Sequence, residues 1–106
     1  MVAQLKTKAE FDQCLKDAGD KLVVVDFTAT WCGPCQMIGP KFVEHAAELG
    51  DAVVMVKVDV DENAETSEGC GITCMPTFQF YKGGNKVDEM QGANFDGLKE
   101  KIQALK

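Results

Sequence analysis

Several features that would suggest a class of function are missing from this 106-residue chain. No apolar run approaches the roughly 18 residues that a membrane-spanning helix needs. Basic residues are scarce: 11 Lys and Arg against 17 Asp and Glu give a formal net charge of −6. Such a charge argues against generic binding to nucleic acid or to an anionic membrane. The first residues hold no apolar signal core, so we expect a cytoplasmic protein, with the nucleus as a second compartment.

Histidine is nearly absent, and the number of cysteines is odd. His45, the only histidine, lies at the margin of an apolar helical stripe, where the side chain is usually packed or solvated. We do not consider it a candidate for catalysis. Because there are 5 cysteines, a complete internal disulfide framework is impossible. A CxxC pair in a cytosolic chain is typical of redox activity rather than of structural cross-linking.

The segment Thr30–Cys35, with the sequence TWCGPC, indicates a chemistry. It follows an apolar run and precedes a stretch with helical spacing. A helix that begins here places its dipole and its unsatisfied N–H groups beside the Cys32 sulfur, which stabilises a thiolate. Cys35 lies one turn further along, where its thiol can attack a mixed disulfide formed at Cys32. The pattern predicts a centre for dithiol–disulfide exchange.

Apolar periodicity predicts the element order β-α-β-α-β-α-β-β-α. Strands are predicted at Val2–Leu5, Leu22–Phe27, Val53–Val60, Thr77–Tyr81 and Val87–Gln91, with a hairpin turn at Lys82–Lys86. Helices are predicted after the N-cap Thr7, from Pro34 to about Leu49, over Glu62–Glu68 and after the N-cap Asn94. We therefore expect an α/β fold in a single domain over residues 1–106. It should have a parallel core, an antiparallel hairpin at one side and helices on both faces.

Asp26 interrupts the first buried strand. One interpretation is that Asp26 is a carboxylate at the end of the strand whose oxygens accept hydrogen bonds. The other, which we favour because Val25 and Phe27 flank it, is a buried acid behind Cys35 whose raised pKa suits it to exchange a proton with that thiol. Lys57, on the next buried strand, could lie near Asp26 and offset the cost of burying its charge, or its stem could extend to solvent.

The acidic segment Asp59–Asn63 matches the opening of a calcium-binding loop. Ala64 and Cys70 stand where such a loop needs glycine and glutamate, so the motif fails. No metal site is predicted at this segment.

Four segments of the chain resemble the thioredoxin family, specifically its cytosolic animal members. They are DKLVVVDF at Asp20–Phe27, WCGPC at Trp31–Cys35, CMPTF at Cys74–Phe78 and GAN at Gly92–Asn94. The resemblance covers the whole chain, and WCGPC followed about 40 residues later by Met-Pro-Thr is highly specific, whereas CxxC alone is not. It implies the thioredoxin fold, a central mixed five-stranded sheet flanked by four helices.

The resemblance also implies roles for individual residues. Cys32 would be the attacking thiol, Cys35 the resolving thiol and Asp26 the acid that assists Cys35. Gly33 and Pro34 would set the reducing power, because they place no charge that stabilises the thiolate and so leave the dithiol a good reductant. The implied substrate-contact surface consists of Trp31, Met75, Pro76, Gly92 and Ala93, with Met75–Pro76 as a cis-proline turn that faces the dithiol.

The remaining cysteines have two kinds of interpretation. Cys70 and Cys74 match extra cysteines of the animal proteins and are candidate regulatory thiols. Asn63 occupies the position of a further cysteine of those proteins. Cys14 lies outside that pattern and is interpreted as a small buried hydrophobe. Because Cys74 precedes the cis-proline turn, we expect it to be exposed and to form a reversible dimer under oxidation. The alternative is an idle surface thiol.

As a whole, the resemblance implies a general protein-disulfide reductase, an electron carrier of redox homeostasis. The redox-active group would be the Cys32–Cys35 disulfide, with no bound cofactor and no metal. Electrons would come from NADPH through a thioredoxin reductase and pass to proteins that contain disulfides. The chain itself would be a monomer.

Three alternatives remain open at this stage. Cys32, Cys35, Cys70 and Cys74 have the pattern of a zinc module, but the 34 residues between the pairs exceed the usual spacing of about 15–20. A binding module could retain the fold and use redox chemistry only incidentally. Within the oxidoreductases, an isomerase or oxidase domain is the alternative, which Gly33-Pro34 and the missing signal core disfavour.

Overall fold

A computed structural model describes residues 2–106 and has the predicted element order. Met1, the first residue of the predicted domain, lies outside the described residues. The strands are β1 (Ala3–Gln4), β2 (Leu22–Thr28), β3 (Val53–Asp59), β4 (Thr77–Lys82) and β5 (Asn85–Gln91). The helices are α1 (Lys8–Ala18), α2 (Gly33–Leu49), α3 (Ala64–Gly69) and α4 (Phe95–Leu105). Within residues 2–106, no helix has the length and apolar character needed to cross a membrane.

The five strands form one mixed sheet in the order β1-β3-β2-β4-β5. The strands β1, β3 and β2 run parallel to one another, whereas β4 pairs antiparallel with β2 and with β5. This arrangement confirms the predicted parallel core with an antiparallel hairpin at one side. It also means that β2, which leads into the CxxC segment, lies at the centre of the sheet.

Alternation along β2 divides the apolar core into two clusters. Leu22 and Val24 pack in one cluster with side chains of α2 and α4, including Phe42 and Leu98. The intervening positions, such as Val25, pack in the other cluster with residues of α1. By the same alternation, the side chain of Asp26 faces the side of the sheet that α2 covers.

Side-chain caps determine where two helices begin. Cys32 is the N-cap of α2, so that helix begins at Gly33, one residue before the predicted start. The helix predicted over Glu62–Glu68 instead spans Ala64–Gly69, because Asn63 is its N-cap. The Asn63 side chain accepts a hydrogen bond from the backbone N–H of Thr66 at 3.4 Å. The Asn63 side chain also donates to the backbone carbonyl of Leu5 at 3.1 Å, which connects the start of α3 to the residue that follows β1.

The hairpin turn is shorter than predicted. Instead of spanning Lys82–Lys86, it consists of Gly83 and Gly84, and the strands extend to the pair Lys82 and Asn85. Both glycines have positive φ, +58° and +79°. A two-residue turn that requires positive φ at both positions is compatible with glycine and strained for most other residues.

Candidate functional site

The two cysteines of the CxxC segment lie at the amino end of α2, joined by a disulfide bond. Their Cα atoms are 5.3 Å apart, and the backbone N–H of Cys35 donates to Cys32 Sγ at 3.3 Å. Cys32 is 7% exposed and Cys35 is 2% exposed, so the first sulfur is the more accessible of the two. A helix N–H directed at Cys32 Sγ favours the thiolate when the disulfide is reduced.

The loop before β4 packs directly against this disulfide. The Met75–Pro76 peptide bond is cis, which confirms the conformation that the resemblance implied. Met75 packs against the buried cluster of Ala29, Cys32 and Cys35, and its carbonyl oxygen lies 3.9 Å from Cys32 Sγ. The backbone N–H of Gly92 donates to the carbonyl of Pro76 at 2.9 Å, bringing the exposed segment Gly92–Ala93 to the same edge.

Trp31 forms a hydrogen bond that sequence reasoning missed. Its indole is 66% exposed, and Nε1 donates to Asp61 Oδ2 at 2.7 Å. Asp61 belongs to the acidic segment considered above only as a failed calcium loop. A signal was present: β2 and β3 are parallel neighbours, so the residues that follow their carboxyl ends meet at one edge of the sheet.

Asp26 is a buried acid on the side of the sheet that faces α2. It is 3% exposed, and its Oδ1 has no hydrogen-bond partner among residues 2–106, which favours the interpretation as a buried acid over that of a carboxylate satisfied by hydrogen bonds. Burial raises the pKa of Asp26 from its ordinary value of 3.8 to about 7, although the charge of Lys57 acts in the opposite direction. Asp26 and Cys35 both line a cavity of about 340 Å³.

Lys57 and Gln36 also line this cavity. Lys57 is the register partner of Asp26 on β3 and is half-buried, which supports the interpretation that it lies near the acid. Gln36, which sequence reasoning did not single out, donates from Nε2 to the carbonyl of Ala29 at 2.9 Å. That bond ties the first turns of α2 to the chain that follows β2.

The other three cysteines lie in different environments. Cys74 is exposed, as predicted. Cys70 is half-buried, with Sγ 3.6 Å from the hydroxyl of Tyr81. Cys14 is half-buried rather than buried and packs against the cluster on the α1 side, where burial raises the pKa of its thiol and the Asp17 charge adds to the effect. In the described part of the chain, no three potential metal ligands come together in a group that could hold an ion.

Comparison with known proteins agrees with this geometry. The family model for thioredoxin matches residues 2–104. The thioredoxin of Geodia cydonium is 64% identical over 107 residues, covering 100% of both chains, and that of Homo sapiens is 51% identical, covering 99% of each. The solved structure of Fasciola hepatica thioredoxin has a TM-score of 0.96 at 42% identity and covers 99% of this chain and 100% of that chain.

These similarities extend over 99% or more of this chain, in which Cys32 and Cys35 form the disulfide at the start of α2. The predicted thioredoxin fold is therefore confirmed, as is the predicted activity of a protein-disulfide oxidoreductase that works by dithiol–disulfide exchange. The chain belongs to the thioredoxin family.

Proposed function

We propose that the chain is a general reductase of protein disulfides in which Cys32 attacks and Cys35 resolves. The observation that carries the order of attack is the contact between the Cys35 backbone N–H and Cys32 Sγ, 3.3 Å apart at the start of α2. This donor stabilises negative charge on the first sulfur, which is also the more exposed one. Cys35 lies deeper, where its sulfur can reach Cys32 Sγ after Cys32 has formed a mixed disulfide with the substrate.

The reaction proceeds through two exchanges. The Cys32 thiolate attacks one sulfur of a substrate disulfide, a bond forms between them, and the other substrate sulfur leaves as a thiolate. Cys35 then loses its proton and attacks Cys32 Sγ, so that the Cys32–Cys35 bond forms and the second substrate sulfur leaves. Two electrons pass in total from the dithiol to the substrate. Cys35 releases one proton in these steps, and the proton that Cys32 lost on forming its thiolate is the second one needed to give two substrate thiols.

Asp26 is the group that we assign to the proton of Cys35. A carboxylate with a pKa of about 7 is present in both protonation states near neutral pH, which suits it to accept that proton and release it later. The cavity that Asp26 and Cys35 both line supports this role, because it is large enough to hold water that could carry a proton.

A polypeptide substrate would contact the edge of the sheet around the disulfide. Trp31 offers a large exposed aromatic surface, and the Met75 carbonyl beside Cys32 is positioned to accept a hydrogen bond from an extended segment. The proposed contact surface consists of Trp31, Met75, Pro76, Gly92 and Ala93. Gly33 and Pro34, both exposed between the two cysteines, leave the thiolate without a stabilising side-chain charge and thereby favour reduction of substrates.

We propose further that a flavoprotein thioredoxin reductase returns the disulfide to the dithiol with electrons from NADPH. The chain would act as a monomer in the cytoplasm and the nucleus, where protein thiols are kept reduced. Consumption of NADPH in a mixture of the chain, a thioredoxin reductase and a protein disulfide would test the recycling step. No consumption above that of the reductase alone would reject it.

The order of attack is tested by trapping. Cys35→Ser should accumulate mixed disulfides with proteins of an oxidised extract, visible on non-reducing gels and removed by dithiothreitol. Cys32→Ser is the matched control and should accumulate far fewer. Adducts that persist in Cys32→Ser and are missing in Cys35→Ser would reverse the assignment.

The direction of electron flow is tested by the reduction potential of the Cys32–Cys35 pair at equilibrium with glutathione. A value below about −230 mV lies on the reducing side of the glutaredoxins and supports a reductase. A value near about −180 mV or above would indicate an isomerase or an oxidant instead. The role assigned to Gly33 and Pro34 would then be wrong.

A further inference from the structure

Thr77 is a buried residue at the start of β4 to which sequence reasoning assigned no role. It pairs with Phe27 of β2 on one side and with Gln91 of β5 on the other, so its backbone is held by two strands. Its side chain is 1% exposed, and its hydroxyl donates to the backbone carbonyl of Cys74 at 2.6 Å. A fixed point of the sheet is therefore joined directly to the loop that precedes β4.

This hydrogen bond determines the direction of the peptide unit between Cys74 and Met75. The unit is trans, and in a planar trans peptide the C=O and N–H groups point in opposite directions. The carbonyl of Cys74 points toward the buried hydroxyl of Thr77. The N–H of Met75 consequently points away from Thr77.

The backbone groups of Met75 differ from those of the residues on either side. The carbonyl of Cys74 accepts the hydroxyl bond, and the carbonyl of Pro76 accepts a backbone N–H at 2.9 Å. Between them, neither the N–H nor the carbonyl of Met75 forms a hydrogen bond with the backbone of residues 2–106. The Met75 carbonyl lies 3.9 Å from Cys32 Sγ. The backbone of Met75 can therefore pair with another chain next to the reacting sulfur.

The other end of the same loop is attached to β4 in a similar way. Gln79, which is fully buried, donates from Nε2 to the carbonyl of Cys70 at 3.1 Å. Residues two apart on a strand share a face, so Thr77 and Gln79 project from the same side of β4. Of these two attachments, the one at Thr77 involves the peptide unit that ends in the Met75 N–H.

We propose that Thr77 is a positioning residue for substrate recognition, because its hydroxyl orients Met75 to pair with an extended segment beside the disulfide of a substrate. This inference rests on the proposed function, which places substrates along Met75. Pairing through backbone groups selects no particular side chain, which suits a reductase of many different proteins. A peptide unit that is fixed before binding also loses less conformational entropy when the substrate pairs with it.

The experiment measures the coupling between Thr77 and the substrate backbone. The substrates are disulfide-linked peptides in which one amide at a time, on either side of the cysteine, is replaced by an ester that lacks the N–H. The measured quantity is the ratio of two second-order rate constants for oxidation of the reduced chain, that of the amide peptide to that of its ester counterpart. In the unmodified chain, the ratio should be about two to ten at one position, the effect of losing one hydrogen bond. In Thr77→Val, which lacks the hydroxyl but has nearly the same shape, the ratio there should fall to about one.

Matched variants separate orientation of the loop from general stability. Thr77→Ser keeps a hydroxyl and should restore the ratio. Ser67→Ala removes another buried hydroxyl that donates to a carbonyl three residues earlier, that of Ala64 at 3.1 Å, and should keep the ratio of the unmodified chain. All three variants should reduce hydroxyethyl disulfide at the rate of the unmodified chain, because this small molecule has no peptide backbone to pair.

The outcomes distinguish this inference from the proposed function. A ratio of about one at every position in the unmodified chain, or the same ratio in Thr77→Val and the unmodified chain, would overturn the inference and leave disulfide exchange intact. Slow reduction of hydroxyethyl disulfide by Thr77→Val would also overturn it, since the hydroxyl would then act on Cys32 or on folding. If the unmodified chain reduced neither the peptides nor the small disulfide, the proposed function itself would be rejected.

Discussion

Asp26 and Lys57 stand opposite each other on neighbouring parallel strands, and both side chains line the cavity that reaches Cys35. The two charges attract, yet the desolvation of Asp26 outweighs the field of Lys57, and its pKa rises to about 7. A carboxyl group in these surroundings can change its protonation state at the pH at which disulfide exchange takes place. Because the buried charge of Asp26 costs free energy, the same arrangement also lowers the stability of the fold when Asp26 is ionised. The effect on stability and the effect of Lys57 on the titration can be measured separately.

Replacing Asp26 by asparagine should stabilise the fold at neutral and alkaline pH. The pKa of Asp26 is about 7 in the folded chain, above its ordinary value of 3.8. Between these values the folded chain holds a proton that the unfolded chain has lost, so stability falls as pH rises through this window and is constant above it. Asp26→Asn should therefore raise the free energy of unfolding by roughly 4 kcal/mol above pH 8 and by little near pH 4.

Denaturant unfolding at several pH values measures this difference. Asp51→Asn, at an exposed position in the short turn before β3, is the matched control and should follow the unmodified chain at every pH. If the difference between Asp26→Asn and the unmodified chain were the same at acid and alkaline pH, titration of the buried carboxyl could not be its cause.

Removing the charge of Lys57 should move the titration of Asp26 upward. Lys57 lowers the pKa of Asp26, so Lys57→Gln should raise that pKa above about 7 and shift the pH dependence of kcat/KM to higher pH. The carboxyl carbon of Asp26, followed by NMR as pH changes, gives the same quantity without turnover. Lys21→Gln, on the exposed surface before β2, should leave both curves in place. An unchanged Asp26 titration in Lys57→Gln would show that the two groups do not interact.

The features predicted from sequence are those that depend on local patterns. Periodicity was sufficient for the order of strands and helices, because each buried element has an apolar face that its own residues determine. Burial of Asp26 followed from the apolar residues on either side of it. The predicted hairpin turn was too long, because the sequence pattern did not show that Gly83 and Gly84 would both adopt positive φ and form a two-residue turn.

What could not be predicted depends on segments that meet only in the folded chain. The parallel strands β2 and β3 indicate that the segments holding Trp31 and Asp61 meet at one edge of the sheet, but no spacing rule selects Asp61 among the nearby carboxylates as the acceptor of the indole N–H. The placement of Lys41 and Lys99 near the ring of Phe95 likewise requires α2 and α4 to pack side by side. Each of these residues appears in the sequence as an ordinary exposed or half-buried side chain.

Cys74 should be the thiol that links two copies of the chain under oxidation. It is exposed, whereas Cys14 and Cys70 are half-buried, and a thiol must be accessible to reach a second molecule. With hydrogen peroxide, the unmodified chain, Cys14→Ser and Cys70→Ser should all give a dimer on non-reducing gels that dithiothreitol dissociates. Cys74→Ser should remain monomeric. A dimer of unchanged yield in Cys74→Ser would assign the linkage to another thiol and leave Cys74 idle.

The hydrogen bond from Trp31 to Asp61 should hold the indole in position for substrates. Asp61→Ala removes the acceptor and should lower kcat/KM for a protein disulfide by about two- to fivefold, the effect of losing one exposed charged contact, whereas Asp61→Asn keeps an acceptor oxygen and should recover most of the loss. Trp31 is the only tryptophan, so its fluorescence reports the same bond directly and should change in Asp61→Ala. Glu65→Ala removes an equal charge from α3 and controls for the field. If Glu65→Ala lowered kcat/KM as much as Asp61→Ala while the fluorescence of both stayed unchanged, surface charge rather than indole position would explain the effect.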